Sequence, residues 1–466
     1  MPISPIAFQP GTPKVQQIVN ALTQAIDEGL LAPGSKLPSV REMTLVLGVS
    51  KFTLIEALDR LRGQARITSS QGLGYFVAPA PITATAEPVD LLPKDLTSVL
   101  RRSLIGASAA LRPGGGHLPE HWLDSSTLRA SVRAVSRSPL LRLTGYGDPA
   151  GYLPLRQALQ RKLAAQGLDV ALEQIITTSN TVQALDMVLR LRLRPGATVL
   201  LDTPCYFNFH ANLALHGARV VTLERTAQGL DLQALETLLK EQRPSVYLTT
   251  SVLQNPTGHS FTPAQAHGLL ELTKRYNCHI IEDDLYGDLH PEPPPRLSTL
   301  AGLEHVTYLG GFSKILSANL RVSFVVTSPQ MAANLSHMKL MCGGITCEML
   351  EQTLCSMLTD GSYHKHRKRM LQRLMSAGAR VTAGLQQAGM SMSVPYAGGL
   401  FIWATLPPGQ DAEMLAQAGL KQDLVLAPGT LFGYGPQLAR CLRFNVAHTD
   451  DSRVMAVMNA LLLNAG

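Results

Sequence analysis

Val306-Thr307-Tyr308-Leu309 runs directly into Gly310-Gly311-Phe312-Ser313-Lys314, and Arg321 follows seven residues after the lysine. The short apolar run has the character of a strand, so the lysine falls just past a strand end. Small residues ahead of it let a planar ligand approach the backbone. A lysine amine so placed can condense with an aldehyde, and the fork of the arginine matches phosphate oxygens. Taken alone, such a lysine is more often a solvated surface residue. The surrounding chain decides between the two readings.

Apolar runs of the same kind recur between helical patterns, at 174–177, 198–201, 218–223, 245–250, 279–282 and 322–326. Strands alternating with helices predict βαβ units and a mostly parallel sheet, here over about 140–345. From about 346 the chain carries long helical patterns and a Gly-rich strand region at 397–403, consistent with a smaller α/β domain ending at 466. A Pro-Gly-Gly-Gly turn at 113–116 leads into this body, which spans 111–466.

Several of the predicted strands end in residues that suit one chemistry. Ile281-Glu282-Asp283-Asp284-Leu285-Tyr286 places carboxylates directly after a buried run. An acid held against a pyridine nitrogen keeps that ring cationic and makes it an electron sink, as pyridoxal chemistry requires. Gln254-Asn255-Pro256-Thr257-Gly258 is a turn whose Asn side chain can donate to a phenolic oxygen, and Asp202-Thr203-Pro204-Cys205-Tyr206 offers an aromatic for stacking. Thr178-Ser179-Asn180-Thr181-Val182-Gln183 opens a helix, whose free amides suit a phosphate. Leu442-Arg443-Phe444-Asn445 supplies an arginine for a carboxylate. Each has a bland reading as turn, cap or surface charge; their joint appearance in this order is what argues for a site.

The first 79 residues read as a separate module. Val15, Ile18, Val19, Leu22 and Ile26 recur at helical spacing, with Thr12 as the expected N-cap and Pro13 as the first helical residue. Ser39-Val40-Arg41-Glu42 is a capping box, with Leu37 and Met43 as its hydrophobic staple. That helix stops at Gly48, and Ser50 caps another carrying Leu54, Leu58 and Leu61. Two short helices joined by a Gly-containing turn make a helix-turn-helix, and 67–77 reads as a hairpin wing with Gly72 and Gly74 at its tip. The second helix presents Lys51, Phe52 and Thr53 on its first turn, the end that enters a major groove. Lys36, Arg41 and Arg66 are candidate phosphate contacts, joined by Ser39 and Ser50 at the two helix starts. Charge alone does not decide the matter, since residues 1–79 hold seven Lys/Arg against five Asp/Glu. Residues 80–110 have linker composition, beginning Ala80-Pro81, with a helix-prone segment at 96–108.

The run Gly29-Leu30-Leu31-Ala32-Pro33-Gly34-Ser35-Lys36-Leu37-Pro38-Ser39-Val40-Arg41-Glu42, with Gly48-Val49-Ser50-Lys51 after it, resembles the GntR-type winged helix-turn-helix. The strand-end motifs resemble those of the fold-type-I aminotransferases over about 110–460. Together they make the chain similar to a MocR-type regulator. The resemblance implies a multidomain protein, a winged helix-turn-helix head on an α/β aminotransferase-like body, with pyridoxal 5'-phosphate as cofactor. It implies Lys314 as the lysine joined to that cofactor and Asp283 as the partner of the ring nitrogen. Asn255 and Tyr286 would sit at the phenolic oxygen and Tyr206 on the ring face. Thr181, the Val182 amide, Ser313 and Arg321 would hold the phosphate, and Arg443 an effector's carboxylate. Tyr146, in Tyr146-Gly147-Asp148-Pro149-Ala150-Gly151, resembles the tyrosine that reaches a neighbouring subunit's phosphate. A cytoplasmic homodimer on double-stranded operator DNA, answering a small amino compound, is the expected form, with residual transamination left open.

The chain departs from the family pattern in places. Asn180 replaces the usual Gly, where tolerance of left-handed backbone favours Asn. Gly311 stands where a Ser or Thr hydroxyl normally meets the phosphate, and Ala318-Asn319 replaces a Pro-Gly. Phe52 stands where the head family often has a polar or basic residue. Composition bounds the alternatives. A 45% hydrophobic, 16% charged chain of net charge +7 describes a well-packed protein that permits an anionic partner without demanding one. No apolar run reaches the roughly 18–20 residues of a membrane span. Six cysteines in 466 residues form no disulfide framework, and Cys342, Cys347 and Cys355 lack the spacing of a metal site.

Overall fold

A computed structural model describes residues 5–70, 74–78 and 111–464 of the chain. The expected linker at 80–110, its helix-prone segment and the wing-tip residue Gly72 lie outside the described residues. The chain divides into two units, Met1–Val89 and Asp90–Gly466.

In the first unit, α1 (Lys14–Asp27), α2 (Val40–Leu47) and α3 (Lys51–Gly63) precede a two-stranded hairpin of β1 (Ile67–Ser70) and β2 (Gly74–Val77). The start of α1 differs from the expectation. Pro13 is itself the cap, with an extended ψ of 135°, so the helix opens at Lys14 and no side chain caps it. Thr12 lies one residue too far out, and its carbonyl instead accepts from the Gln17 side-chain amide at 2.7 Å. The capping box forms: Glu42 N–H donates to Ser39 Oγ at 3.2 Å and Ser39 N–H to Glu42 Oε2 at 2.8 Å. Gly48 closes α2 in left-handed backbone (φ 62°), which a glycine adopts without strain. Ser50 Oγ accepts from Thr53 N–H at 3.1 Å and starts α3. The apolar stripes of the three helices meet in one buried core with Leu37, Ile67 and Val77. The wing pairs antiparallel from Ile67↔Val77 to Ser70↔Gly74.

In the second unit, eight strands form one sheet: β3 (Ile175–Thr178), β4 (Thr198–Thr203), β5 (Arg219–Thr226), β6 (Gly229–Leu230), β7 (Val246–Thr249), β8 (His279–Asp284), β9 (Val306–Gly311) and β10 (Ser323–Val326). Their spatial order is β3-β10-β9-β8-β7-β4-β5-β6. Side chains alternate across this sheet. Leu201, Leu248 and Ile281 pack with the helix Thr181–Arg192 on one face, while Leu200, Tyr247 and Ile280 pack with the helix Pro263–Arg275 on the other. Pairing from β9 through β8, β7 and β4 to β5 is parallel, as the strand–helix alternation predicts. β10 runs antiparallel to both β9 and β3, because too few residues separate it from β9 for a crossover helix. Chain order reverses between β4 and β7, and in open α/β sheets such a switch point opens a crevice at the carboxyl ends of the strands.

A second, antiparallel sheet joins β11 (Phe401–Thr405) and β12 (Cys441–Asn445), beside the long helix Ser362–Gln387. The strand expected at 397–403 begins only at Phe401. Gly398 and Gly399 ahead of it take positive φ (130° and 78°) and form a turn. Residues 111–117 join this region, with Leu111 bridged to Leu424 and Gly114 N–H bonded to Val425 O at 2.9 Å.

Candidate functional site

Tyr206 follows β4, Asn255 follows β7, Asp283 is the last residue but one of β8 and Lys314 follows β9, so four strand ends deliver one residue each to the switch-point crevice. A cavity of about 150 Å³ lies there. Thr181, Val182, Tyr286, Ser313 and Arg321 complete its wall among the residues expected from sequence.

Asp283 is buried, and its Oδ1 has no hydrogen-bond partner among the described residues. Burial, then the neighbouring Asp284 carboxylate, pushes its pKa up to about 7 against the pull of Lys314. Asp284 is tied to Arg296 Nε at 2.8 Å and to the Tyr308 hydroxyl at 2.8 Å, so it faces away from this chemistry. Lys314 is pushed down to about 8 by burial and by Arg443, with Asp283 opposing. Its Nζ donates to Gly116 O at 2.8 Å and lies 3.5 Å from His117 Nδ1. Asn255 Nδ2 donates to the Tyr286 hydroxyl at 3.4 Å, while Asn255 Oδ1 accepts from Arg443 Nη1 at 2.9 Å. Tyr206 meets Phe207 and Phe209 edge-on at 4.7 and 5.6 Å, which fixes its ring.

The other end of the cavity is built for an anion. Asn180 Oδ1 caps Gln183 N–H at 2.9 Å and leaves the Thr181 and Val182 amides at the open helix end. The expectation for Asn180 is corrected here: its φ is −173°, extended backbone that any residue adopts, and its value lies in the cap. Arg321 holds left-handed backbone (φ 52°) and makes no hydrogen bond or ion pair among the described residues. A non-glycine residue pays roughly 1–2 kcal/mol for that conformation, which marks a constrained site. The turn before it, with Ala318-Asn319 in place of Pro-Gly, is held by Ser317 Oγ accepting from Asn319 N–H at 3.1 Å. Gly311 also finds a reason. It pairs with Ser323, and a Cβ at Gly311 would lie 2.5 Å from Ser323 Oγ, leaving no room for a side chain.

Two expected residues fall outside the cavity wall. Tyr146 is 92% exposed on its Gly-rich loop. Arg443 lies behind Asn255, buried, with its guanidinium over the Phe401 and Phe432 rings at 4.3 and 4.8 Å. Burial lowers its pKa to about 10. Sequence reasoning missed His117, which lines the cavity and is held down to about 3 by Lys314, burial, Arg443 and His448. The Pro-Gly-Gly-Gly run signalled a turn but not its destination. In the head, Lys36, Ser39, Arg41, Ser50, Lys51 and Phe52 are exposed, and Thr53 is half-buried. Arg66 differs: its fork grips Asp27 at 2.6 and 3.3 Å in an exposed ion pair, with which a phosphate would compete.

The fold and site define a helix-turn-helix module joined to an aminotransferase-fold body. The profile of the aminotransferase class I and II family matches residues 124–461, and that of the bacterial regulatory proteins of the gntR family matches 14–77. The HTH-type transcriptional regulator YdcR of Escherichia coli is 29% identical over 452 residues, covering 93% of this chain and 95% of that protein. The probable rhizopine catabolism regulatory protein MocR of Rhizobium meliloti is 27% identical over 390 residues, covering 80% and 77%. The solved structure of LysN, an α-aminoadipate aminotransferase from Thermus thermophilus complexed with N-(5'-phosphopyridoxyl)-L-leucine, matches with TM-score 0.71 and 26% identity, over 79% of this chain and 95% of that one. The chain belongs to the MocR-type subfamily of the GntR transcription regulators, its body a member of the pyridoxal-phosphate-dependent aminotransferase class I and II family. Among the described residues, no helix is long and apolar enough to cross a membrane.

Proposed function

We propose that the body holds pyridoxal 5'-phosphate and uses it to sense an amino compound, and that the head reports the result on double-stranded operator DNA in the cytoplasm. The observation that carries the cofactor reading is the unpartnered, buried Asp283 Oδ1 in the same cavity as Lys314 and the unpaired Arg321. A ring-nitrogen proton would satisfy the first, an aldehyde the second and a phosphate the third. When bound, the cofactor supplies a carbonyl that reacts with amines and a ring that withdraws electrons.

The chain's own residues set the terms. Asp283 holds the ring-nitrogen proton by its charge, while Asp284 is engaged by its ion pair with Arg296. With its pKa lowered to about 8, Lys314 keeps part of its amine unprotonated near neutrality, the form able to attack a carbonyl. Asn255 and Tyr286 orient the phenolic oxygen, Tyr206 stacks, and Thr181, the Val182 amide, Ser313 and Arg321 grip the phosphate. Arg443 takes an effector's carboxylate. Exposed Lys36, Arg41, Lys51 and Phe52 meet DNA, while Arg66 serves the head's own structure through Asp27.

The test is DNA binding by purified protein, with and without pyridoxal phosphate, across a panel of amino acids. Affinity or footprint should change with cofactor and with at least one amino acid. A DNA response indifferent to both would defeat sensing. A second reading, a working aminotransferase with an accessory head, is kept by intact Lys314, Asp283 and Arg443. Steady turnover between an amino acid and a keto acid would put it first.

A further inference from the structure

Arg443 is a buried cation with no carboxylate bonded to it among the described residues. Its nitrogens meet two neutral oxygens, Asn255 Oδ1 at 2.9 Å and Gly114 O at 2.7 Å, and its Nε has no partner among the described residues. A charge taken out of water wants an opposite charge, and a charge-assisted carboxylate bond is roughly twice as strong as one to an amide. Gly114 O therefore occupies a position that an incoming carboxylate would win.

The same short segment reaches the second group. Gly116 O accepts from Lys314 Nζ at 2.8 Å, and the next side chain, His117, lines the cavity 3.5 Å from that nitrogen. The segment is fastened from the β12 side. Asn445 Nδ2 donates to both Gly115 O and His117 O at 2.9 Å, and Asn445 N–H donates to Pro113 O at 2.6 Å. Gly114 lies flush on its neighbours, since a Cβ there would fall 2.5 Å from Ala427 N and Leu426 C. Three consecutive glycines give the peptide planes between these fastenings unusual freedom to turn.

We propose that residues 113–117 are a strap that serves as the site's own ligand, holding Lys314 while its amine is free of cofactor, and holding Arg443 until an amino carboxylate takes it from Gly114. This rests on the reading of Arg443 and Lys314 as effector- and cofactor-holding groups. It narrows the effector class: an amine without a carboxylate leaves the Gly114 bond intact and does not release the strap. In sequence the strap follows the stretch 80–110 that joins head to body.

Glycine and methylamine, the smallest pair differing by a carboxylate, separate the outcomes in the full-length, cofactor-loaded protein. Each is titrated by cofactor absorbance, and amide hydrogen exchange across 111–119 is followed by mass spectrometry at saturation. Both should shift the absorbance. Glycine alone should speed exchange of the strap, by roughly 5-fold or more if the coupling lies in the usual range. Absorbance shifts with both probes and equal strap exchange would overturn the strap while leaving the sensing function in place. No absorbance shift with either would overturn the reading of Lys314 itself, and the strap with it.

Discussion

Asp283 and Lys314 line one cavity that burial has made expensive for both charges, and the first consequences are tests on single side chains. In the cofactor-free chain, the Asp283 carboxyl ionises near pH 7 when folded but near 3.9 when unfolded. Its contribution to stability is therefore full below about pH 4 and is lost as pH rises through about 7. Asp283→Asn, which cannot ionise, should melt higher than the parent at pH 8 without cofactor, with the gap closing toward pH 4. An equal gap at both pH values would remove Asp283 as the cause. Lys314→Ala should abolish the visible absorbance of lysine-bound cofactor; a borohydride-reducible band surviving in that variant would move the linkage elsewhere. Gly311→Ser should destabilise the body by about 1–3 kcal/mol by crowding Ser323, as overpacking does, and Ser323→Gly should recover most of it. Denaturant unfolding of the two single variants and the double decides this. These residues also show what the sequence concealed. Lys314 and Asp283 were legible because glycines and apolar runs announce strand ends. The crowding at Gly311 was not, because Ser323 stands opposite only through the β9–β10 register.

At the scale of elements, the helix-turn-helix was readable almost to the residue, since Ser39, Glu42, Gly48 and Ser50 each state a helix end in local chemistry. The Thr12 cap failed by one residue, a local matter, but the Arg66–Asp27 pair is non-local: the two are far apart in sequence, and the packing of α1 on α3 brings them together. The antiparallel β10 and the path of 113–117 into the cavity are likewise long-range facts that a periodicity of apolar residues does not carry. The elements make their own prediction about DNA. Arg41→Ala and Lys51→Ala, one on each helix of the motif, should each flatten the salt dependence of DNA binding by about one unit if each contacts one phosphate. Arg66→Ala should leave the salt slope unchanged and lower the melting temperature of the head. A reduced slope for Arg66→Ala, measured by titration at several salt concentrations, would show that it leaves Asp27 on binding.

For the whole molecule, we propose a homodimer. Tyr146 is its most exposed tyrosine and sits beside Leu143 and Leu140, exposed at 79% and 74%, on one segment with no apolar cover among the described residues. Light scattering at micromolar concentration should give a dimer, and Tyr146→Phe subunits mixed with Lys314→Ala subunits should leave some undamaged sites. A monomer would sink the idea. If effector and DNA are coupled, operator must change effector affinity by the factor by which effector changes operator affinity, about 5–150-fold for usual coupling energies. Effector titrations with and without operator check this. The placing of β10 between β9 and β3 has one more consequence, felt while the chain is being made. The β-branched run Ile175-Ile176-Thr177-Thr178 leaves the ribosome long before Ser323–Val326, the strand that will pair with it. Until then the nascent body carries an apolar, uncharged, unpaired edge of the kind that recruits other chains. Shortened products ending before Ser323 should accumulate in aggregates, and those extending past Val326 should be markedly less prone to do so.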